Sequence, residues 1–320
     1  MLYTFFSNNW VLLFGAIAAF VLTILLMKAF ADKLPHDQGR AFAVEGTLSK
    51  GKVRGAGIVF VLVFAACFGI FGQLCVENLI YLVIIILCML TGYFDDASDK
   101  PWNEYLKGAL DFALAIAVSV TYLYFNGNTF GIAILGGLTV TLPYWLYGIL
   151  IVALVWTAIN VTNCTDGVDG LSATLTIITL GSFYLLSKEQ FGFTADNYAI
   201  ALFIVVLSAY LWYNANPSTM LMGDAGSRAM GMMIAITALM SHTPLLYIPF
   251  SIVMILDGGL GLAKVALLRF LKIKILVNTR CPLHDHARKV KEWSNTQVVF
   301  RFAIIQFAIS VLFTWICMGR

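Results

Sequence analysis

Long apolar runs, each close to the length of a membrane crossing, alternate with short polar stretches along most of the chain. A helix rises about 1.5 Å per residue, so about 20 apolar residues cross the roughly 30 Å hydrocarbon layer. Ten runs suit that role, near 10–30, 57–75, 78–94, 108–126, 143–160, 171–187, 198–213, 226–241, 245–270 and 297–318. They lack the every-second-residue alternation of an outer-membrane barrel, so helices are expected. The stretch 127–142 is uncharged but rich in Gly and Thr and runs up to Pro143, which predicts a short hairpin at the membrane surface rather than another span. The expected fold is therefore a single all-α integral membrane domain over residues 1–320, with about ten transmembrane helices.

Composition agrees. The chain is 60% hydrophobic and 12% charged, with mean hydropathy +0.88, whereas a soluble domain carries about 25% charged residues. The six cysteines show no CxxC spacing and read as small apolar residues. The first run, from Trp10 to Phe30, is too long for a signal-peptide core and has no basic segment before it, so it is expected to remain as the first span. With ten spans, the loops 31–56, 95–107, 161–170, 214–225 and 271–296 share one side. Those loops and the adjoining span ends hold all of the 20 Lys and Arg except Lys188 and Arg320. The positive-inside rule makes that side cytoplasmic and puts both termini outside.

Four polar clusters fall on the basic side: GYFDDASDK (92–100), NVTNCTDGVDGL (160–171), NANPSTMLMGDAGS (214–227) and RCPLHDHARK (280–289). Carboxylates at a membrane edge are costly unless something offsets them, and four clusters from separate loops on one face imply one assembled site. Asp95 and Asp96 are adjacent at the end of the third span, so their side chains diverge. One can hold a metal while the other takes a proton. Asn160 and Asn163 lie a helical turn apart, and Asp166 and Asp169 sit in a Gly-rich turn that allows close approach to a ligand. Asp224 stands where a helix begins, a place that suits phosphate or Mg²⁺. Asn214 shapes the same loop. His284 and His286 are read on an extended loop, but Arg280, Arg288 and Lys289 would repel a cation and favour an anion. Metal binding is left to Asp and Asn oxygens, hence Mg²⁺ or Mn²⁺ rather than zinc. The inventory suits phosphoryl transfer from a soluble diphosphate donor to a lipid acceptor. No GxxxxGK[ST] is present, which argues against an ATP-driven pump.

These motifs resemble the polyprenyl-phosphate N-acetylhexosamine-1-phosphate transferase superfamily, from about residue 45 onward. The resemblance rests on GYFDD, on NxxNxxDGxDGL as Asn160 to Leu171, and on NxxPxxxxMGDxGS as Asn214 to Ser227. In the last loop, PLHDHARKVKEWSNTQVVFRF (282–302) is similar to the PxHHH…KGW…VxxRF pattern of phospho-N-acetylmuramoyl-pentapeptide transferases. The resemblance implies transfer of phospho-MurNAc-pentapeptide from UDP to undecaprenyl phosphate, giving lipid I and UMP. It also implies Mg²⁺ as cofactor, a cytoplasm-facing site in a bacterial plasma membrane, no nucleic-acid partner, and suggests a homodimer. Carried over, Asp95 matches the acid that deprotonates the lipid phosphate, with Asp96 its neighbour and second metal candidate. Asp224 matches the Mg²⁺ ligand and Lys107 a lysine beyond the acid pair. Asn160, Asn163, Asp166, Asp169 and Asn214 match groups around the nucleotide and diphosphate. His284 and His286 match the outer histidines of the triplet, and Arg288 is a further anion-binding candidate.

Three departures stand out. Asp285 replaces the central histidine, and Leu221 takes the place where many relatives put a Phe near the uracil. GKVRGAG (51–57) lacks the TPTMGG wording and leaves Lys50, Lys52 and Arg54 as phosphate-contact candidates. The alternatives are a GlcNAc-1-phosphate transferase, which differs only in the last loop, and a cation-coupled transporter. A transporter would hold ionisable groups mid-span, where this chain has few; Asp111 and Asp257 are the exceptions. Asp257 lies in the Gly-rich DGGLG stretch, where the ninth helix is expected to bend.

Overall fold

The computed structural model describes residues 8–39, 49–98, 100, 102–192 and 194–319. A helix covers each of the ten predicted runs: α1 (Asn8–Phe30), α2 (Gly57–Phe71), α3 (Val76–Asp96), α4 (Glu104–Asn126), α5 (Tyr144–Thr165), α6 (Leu171–Phe191), α7 (Ala195–Asn214) and α8 (Gly223–Met240) come first. The bent pair α9 (Pro244–Phe250) and α10 (Ile252–Leu271) follows, then a short helix α11 (Leu283–Lys289) and the long α12 (Asn295–Met318). Among the described residues, seven helices are long and apolar enough to cross a membrane, and eight if the bent pair is one span. The protein is thus an all-α, multi-pass membrane protein. Between α4 and α5, strands β1 (Thr129–Ile132) and β2 (Leu138–Thr141) pair antiparallel with Thr129 opposite Thr141, so the hairpin expected over 127–142 is present.

Several boundaries differ from the sequence reading. α2 stops at Phe71, before extended Gly72, rather than at 75. α5 continues to Thr165, so Asn160 and Asn163 lie in its last turns and the turn proper begins at Asp166. The HDH segment is helical, not extended, because Leu283–Lys289 forms about two helical turns after Pro282. His284 and His286 therefore point apart, one buried and one half-buried.

α8 is the hub. All of its residues except Asp224 and Met240 are buried, and it packs on α2, α3, α5 and α6. Small residues permit this, as is usual where helices associate in lipid. A Cβ on Gly57 of α2 would sit 2.1 Å from the Gly226 nitrogen, one on Gly92 of α3 2.4 Å from the Asp224 carbonyl, and one on Gly231 2.5 Å from the Ala158 oxygen of α5. The outer helices present apolar faces instead, with Phe300, Ile304, Phe307 and Trp315 of α12 exposed, as expected of surface that meets lipid.

The ninth run bends by 69° between α9 and α10. A straight helix would pair the Val253 N–H with the Pro249 carbonyl. Here the wholly buried Gln306 of α12 is inserted between them: Val253 N–H donates to its Oε1 at 2.9 Å and its Nε2 donates to the Pro249 oxygen at 3.0 Å. One carboxamide thereby satisfies both groups that the bend would leave unpaired. Beyond it, Ile255–Gly259 forms a wide π turn that carries Asp257. The bend expected from DGGLG is therefore real, and its break lies a turn earlier.

Candidate active site

Three carboxylates converge at one end of the bundle. One oxygen each from Asp95, Asp96 and Asp224 lies within 4.8 Å of the others. Asp95 and Asp96 end α3, and Asp224 is in the first turn of α8. The adjacent acids diverge as neighbouring helix positions must, yet Asp224 sits between them. Two forces hold this arrangement. α8 begins with unpaired amide hydrogens and the positive end of its dipole, and Asp96 caps it from α3: the N–H groups of Asp224 and Ala225 donate to Asp96 Oδ2 at 2.7 and 3.5 Å. Gly223, at φ +67°, allows the turn into α8, and any Cβ there would stand 2.0 Å from Asp96 Oδ2.

Two cations counter the acids. Arg54 Nη2 is 2.8 Å from Asp96 Oδ1 and 3.7 Å from Asp224 Oδ1, and Nη1 is 3.5 Å from Asp37. Burial works against the Arg54 charge, but Asp96, Asp224, Asp37 and Asp166 outweigh it and raise the guanidinium's proton affinity. Lys107, on the first turn of α4, pairs with Asp95 Oδ2 and lies 3.5 Å from Asp224 Oδ2. The Trp102 amide donates to the other Asp95 oxygen at 2.8 Å. The Arg54 backbone is fixed: Val53 accepts from Leu221 N at 2.8 Å, and Ala56 and Gly57 donate to Leu221 and Met222 at 3.1 and 3.0 Å.

Beside the acids opens a polar cavity of about 360 Å³. Of the predicted residues, Asn163, Asp166, Asp169, Asn214, Asp224 and Arg288 line it, together with Leu221, Lys52 and Arg54. Asp169 Oδ2 accepts from Ser218 N at 3.0 Å and faces Lys52 Nζ at 3.4 Å, and Lys52 also reaches Ser218 Oγ at 2.9 Å, so three loops are stitched at one point. Asn214 has both ends of its carboxamide engaged, accepting from Gly170 N and donating to the Met220 carbonyl, which ties two cavity loops together. Asn163 donates to Ser227 Oγ at 2.8 Å. Arg288 Nη2 reaches Asp285 at 2.7 Å and the Gly167 carbonyl at 3.1 Å.

Asn160, His284 and His286 lie outside that lining. Asn160 faces Asp111 of α4 at 3.5 Å. Asp111 in turn pairs with Arg228, one turn below Asp224 on α8, and the side chains of this pair are 3% exposed. His284 packs behind the cavity wall against Gly167, where a Cβ would approach its Nε2 to 2.2 Å. Asp257 holds it twice, taking its backbone N–H at 2.7 Å and its Nδ1 at 2.8 Å. His286 turns back to accept from Arg280 N at 3.4 Å.

Sequence reasoning did not see the Arg54 contacts, the Asp111–Arg228 pair or the Asp257–His284 clamp. A signal for the pair was present: Lys107 and Asp111, like Asp224 and Arg228, are four apart and share a helix face.

This geometry can bind a diphosphate beside a carboxylate cluster. Residues 78–242 match the family model for glycosyl transferase family 4. The chain is 38% identical over 315 residues to the phospho-N-acetylmuramoyl-pentapeptide-transferase of Treponema pallidum (strain Nichols), covering 92% of this chain and 86% of that one. Proteins of the same name match from Shouchella clausii (28% over 332 residues, 97% and 98% covered) and Lacticaseibacillus paracasei (26% over 310, 92% and 94%). On that identity and coverage, the chain belongs to the phospho-N-acetylmuramoyl-pentapeptide-transferase family, within glycosyl transferase family 4.

Proposed function

We propose that this protein transfers phospho-MurNAc-pentapeptide from UDP-MurNAc-pentapeptide to undecaprenyl phosphate, forming lipid I and releasing UMP. The observation that carries this reading is the convergence of Asp95, Asp96 and Asp224 with Arg54 and Lys107 beside a polar cavity. Family membership supports this donor and a polyprenyl-phosphate acceptor. All ten helical runs are taken as spans, with both termini outside and the carboxylates facing the cytoplasm of a bacterial plasma membrane. The distribution of Lys and Arg supports that orientation.

In the reaction, an oxygen of the lipid phosphate attacks the β-phosphorus of the donor, the bond from that phosphorus to the bridging oxygen breaks, and UMP leaves. Asp95 takes the proton from the lipid phosphate, and Lys107 holds Asp95 in place while balancing charge near Asp224. Three carboxylates offer the hard oxygen donors that Mg²⁺ or Mn²⁺ requires, so Asp224, with Asp96 beside it, would hold the ion. When bound, the ion supplies charge neutralisation for the diphosphate. Asp169, Lys52 and Ser218 frame one wall of the cavity, and Lys52 and Arg288 offer their cationic groups to donor anions. Catalysis here is mainly positioning and electrostatics. Labelled sugar-phosphate trapped on Asp95 or Asp96 without lipid acceptor would replace direct attack with a covalent route.

Purified protein in detergent, with undecaprenyl phosphate and Mg²⁺, tests the reading. UMP release from UDP-MurNAc-pentapeptide and not from UDP-GlcNAc is expected. Release from UDP-GlcNAc alone would move the protein to the GlcNAc-1-phosphate reading, and release from neither would reopen the transporter reading.

A further inference from the structure

Arg54 occupies an unusual place for a residue whose neighbours are metal candidates. Its Nη2 stands 2.8 Å from one oxygen of Asp96 and 3.7 Å from one of Asp224, so it contacts two of the carboxylates that would hold a divalent ion. Lys107 does the same for Asp95 and Asp224 from the other side. A divalent cation entering between Asp96 and Asp224 meets a guanidinium already in contact with both, and the two like charges repel at short range. The Arg54 backbone cannot yield, because strand-like hydrogen bonds to Leu221 and Met222 hold residues 53–57 on the Asp224 loop. Its side chain can. It lines the cavity, is 19% exposed, and has Asp166 near enough to act on its charge.

We propose that Arg54 is a tethered stand-in for the metal. It neutralises Asp96 and Asp224 until a diphosphate in the cavity draws the guanidinium aside, so the metal and the donor bind as one coupled event. This rests on the diphosphate-donor reading above. The diphosphate is the complementary anion: two charged groups beside Lys52 and Arg54 reward the outward swing, and the vacated oxygens then accept the ion. Metal affinity in the nucleotide-free protein is lowered by the fraction of molecules in which Arg54 is withdrawn, so a one-in-ten fraction weakens it about ten-fold. By linkage, UDP must tighten the metal as much as the metal tightens UDP, with couplings of this kind typically about 5–150-fold. The arrangement also offsets the charge of three acids that lie largely out of water, through Arg54 on one side and Lys107 on the other.

The test is Mn²⁺ binding to the full-length protein in detergent, read by electron paramagnetic resonance, with and without UDP. Wild type should bind Mn²⁺ weakly alone and at least about five-fold more tightly with UDP. Arg54→Gln should bind Mn²⁺ about ten-fold more tightly than wild type without UDP, and gain less from adding it. Arg54→Lys, which keeps a cation, should still need UDP. Unchanged or weaker Mn²⁺ binding by Arg54→Gln without UDP overturns the proposal, as does UDP-independent binding by Arg54→Lys if the glutamine variant does not fold. Retention of radiolabelled UDP in equilibrium dialysis separates the two levels. If wild type retains no UDP with Mn²⁺ present, the donor reading fails; if it retains UDP and Arg54 has no influence on Mn²⁺, only the present inference fails.

Discussion

The Asp111–Arg228 pair gives the most direct test of how the bundle is held together. α4 and α8 each pack on α3 and α5, and Arg228 reaches across to Asp111 in the space those helices leave. Both side chains are almost wholly buried, and among the described residues Arg228 Nε and Nη1 have no hydrogen-bond partner. Asp111 therefore carries nearly all the compensation for a guanidinium in a low-dielectric interior. Asp111→Asn keeps the shape but leaves that charge uncompensated, which should cost about 3–5 kcal/mol. At roughly 2 °C per kcal/mol for a chain of this size, the melting temperature should fall by about 6–10 °C. Replacing both partners, Asp111→Leu with Arg228→Met, removes the buried charges together and should return stability to within about 1 kcal/mol of wild type. The measurement is reversible unfolding in mixed detergent, run as a double-mutant cycle. High salt should not rescue the single variant, since a buried charge is poorly screened. A loss under about 1 kcal/mol for Asp111→Asn would refute the argument, and so would a double variant as unstable as the single one.

Three further outcomes are expected. Gly92→Ala places a methyl group 2.4 Å from the Asp224 carbonyl; it should displace the start of α8 and lower UMP release about 100-fold, and activity within three-fold of wild type would contradict it. Lys107→Met should lower kcat by at least about ten-fold, with Lys107→Arg partly restoring it, because the ammonium braces both Asp95 and Asp224; equal rates for the two variants would deny a role to the charge. Asp257→Asn should cost about 1–3 kcal/mol by weakening two hydrogen bonds to α11, and unchanged melting would show that His284 is held by packing alone.

Much of this was legible in the sequence because the signals are local. Apolar runs of fixed length announce helices, and Gly and Thr around residues 127–142 announce a hairpin. Motifs such as NxxNxxDGxDGL mark the loops that make the cavity. What was not legible depends on which loops meet. GKVRGAG gave three basic candidates and no way to choose, since only pairing with residues 220–222 brings Arg54 to Asp96 and Lys52 to Asp169. Asn214 read as shaping its loop, and its carboxamide does tie two loops together, but which loops meet there was not legible. His284 and His286 read as a pair on one face of an extended segment. Pro282 instead opens a short helix there, and helical geometry separates them.

The clamp at the ninth run has a consequence for how the molecule is made. Val253 and Gln306 are separated by 53 positions, so the ribosome delivers the carboxamide well after the segment it must hold. Until α12 arrives, the Pro249 carbonyl and the Val253 amide face each other with nothing between them, and a continuous straight helix is the arrangement that satisfies both. A ninth run made without α12 is therefore expected to be straighter, its bend arising as the last helix docks. Every site residue read from the sequence has been synthesised by then, the last being Arg288. A nascent chain halted before α12 would lack the carboxamide that holds the bend and also Asn295, which lines the cavity and accepts from Arg288 at 3.3 Å. Maturation of the site waits on the final helix.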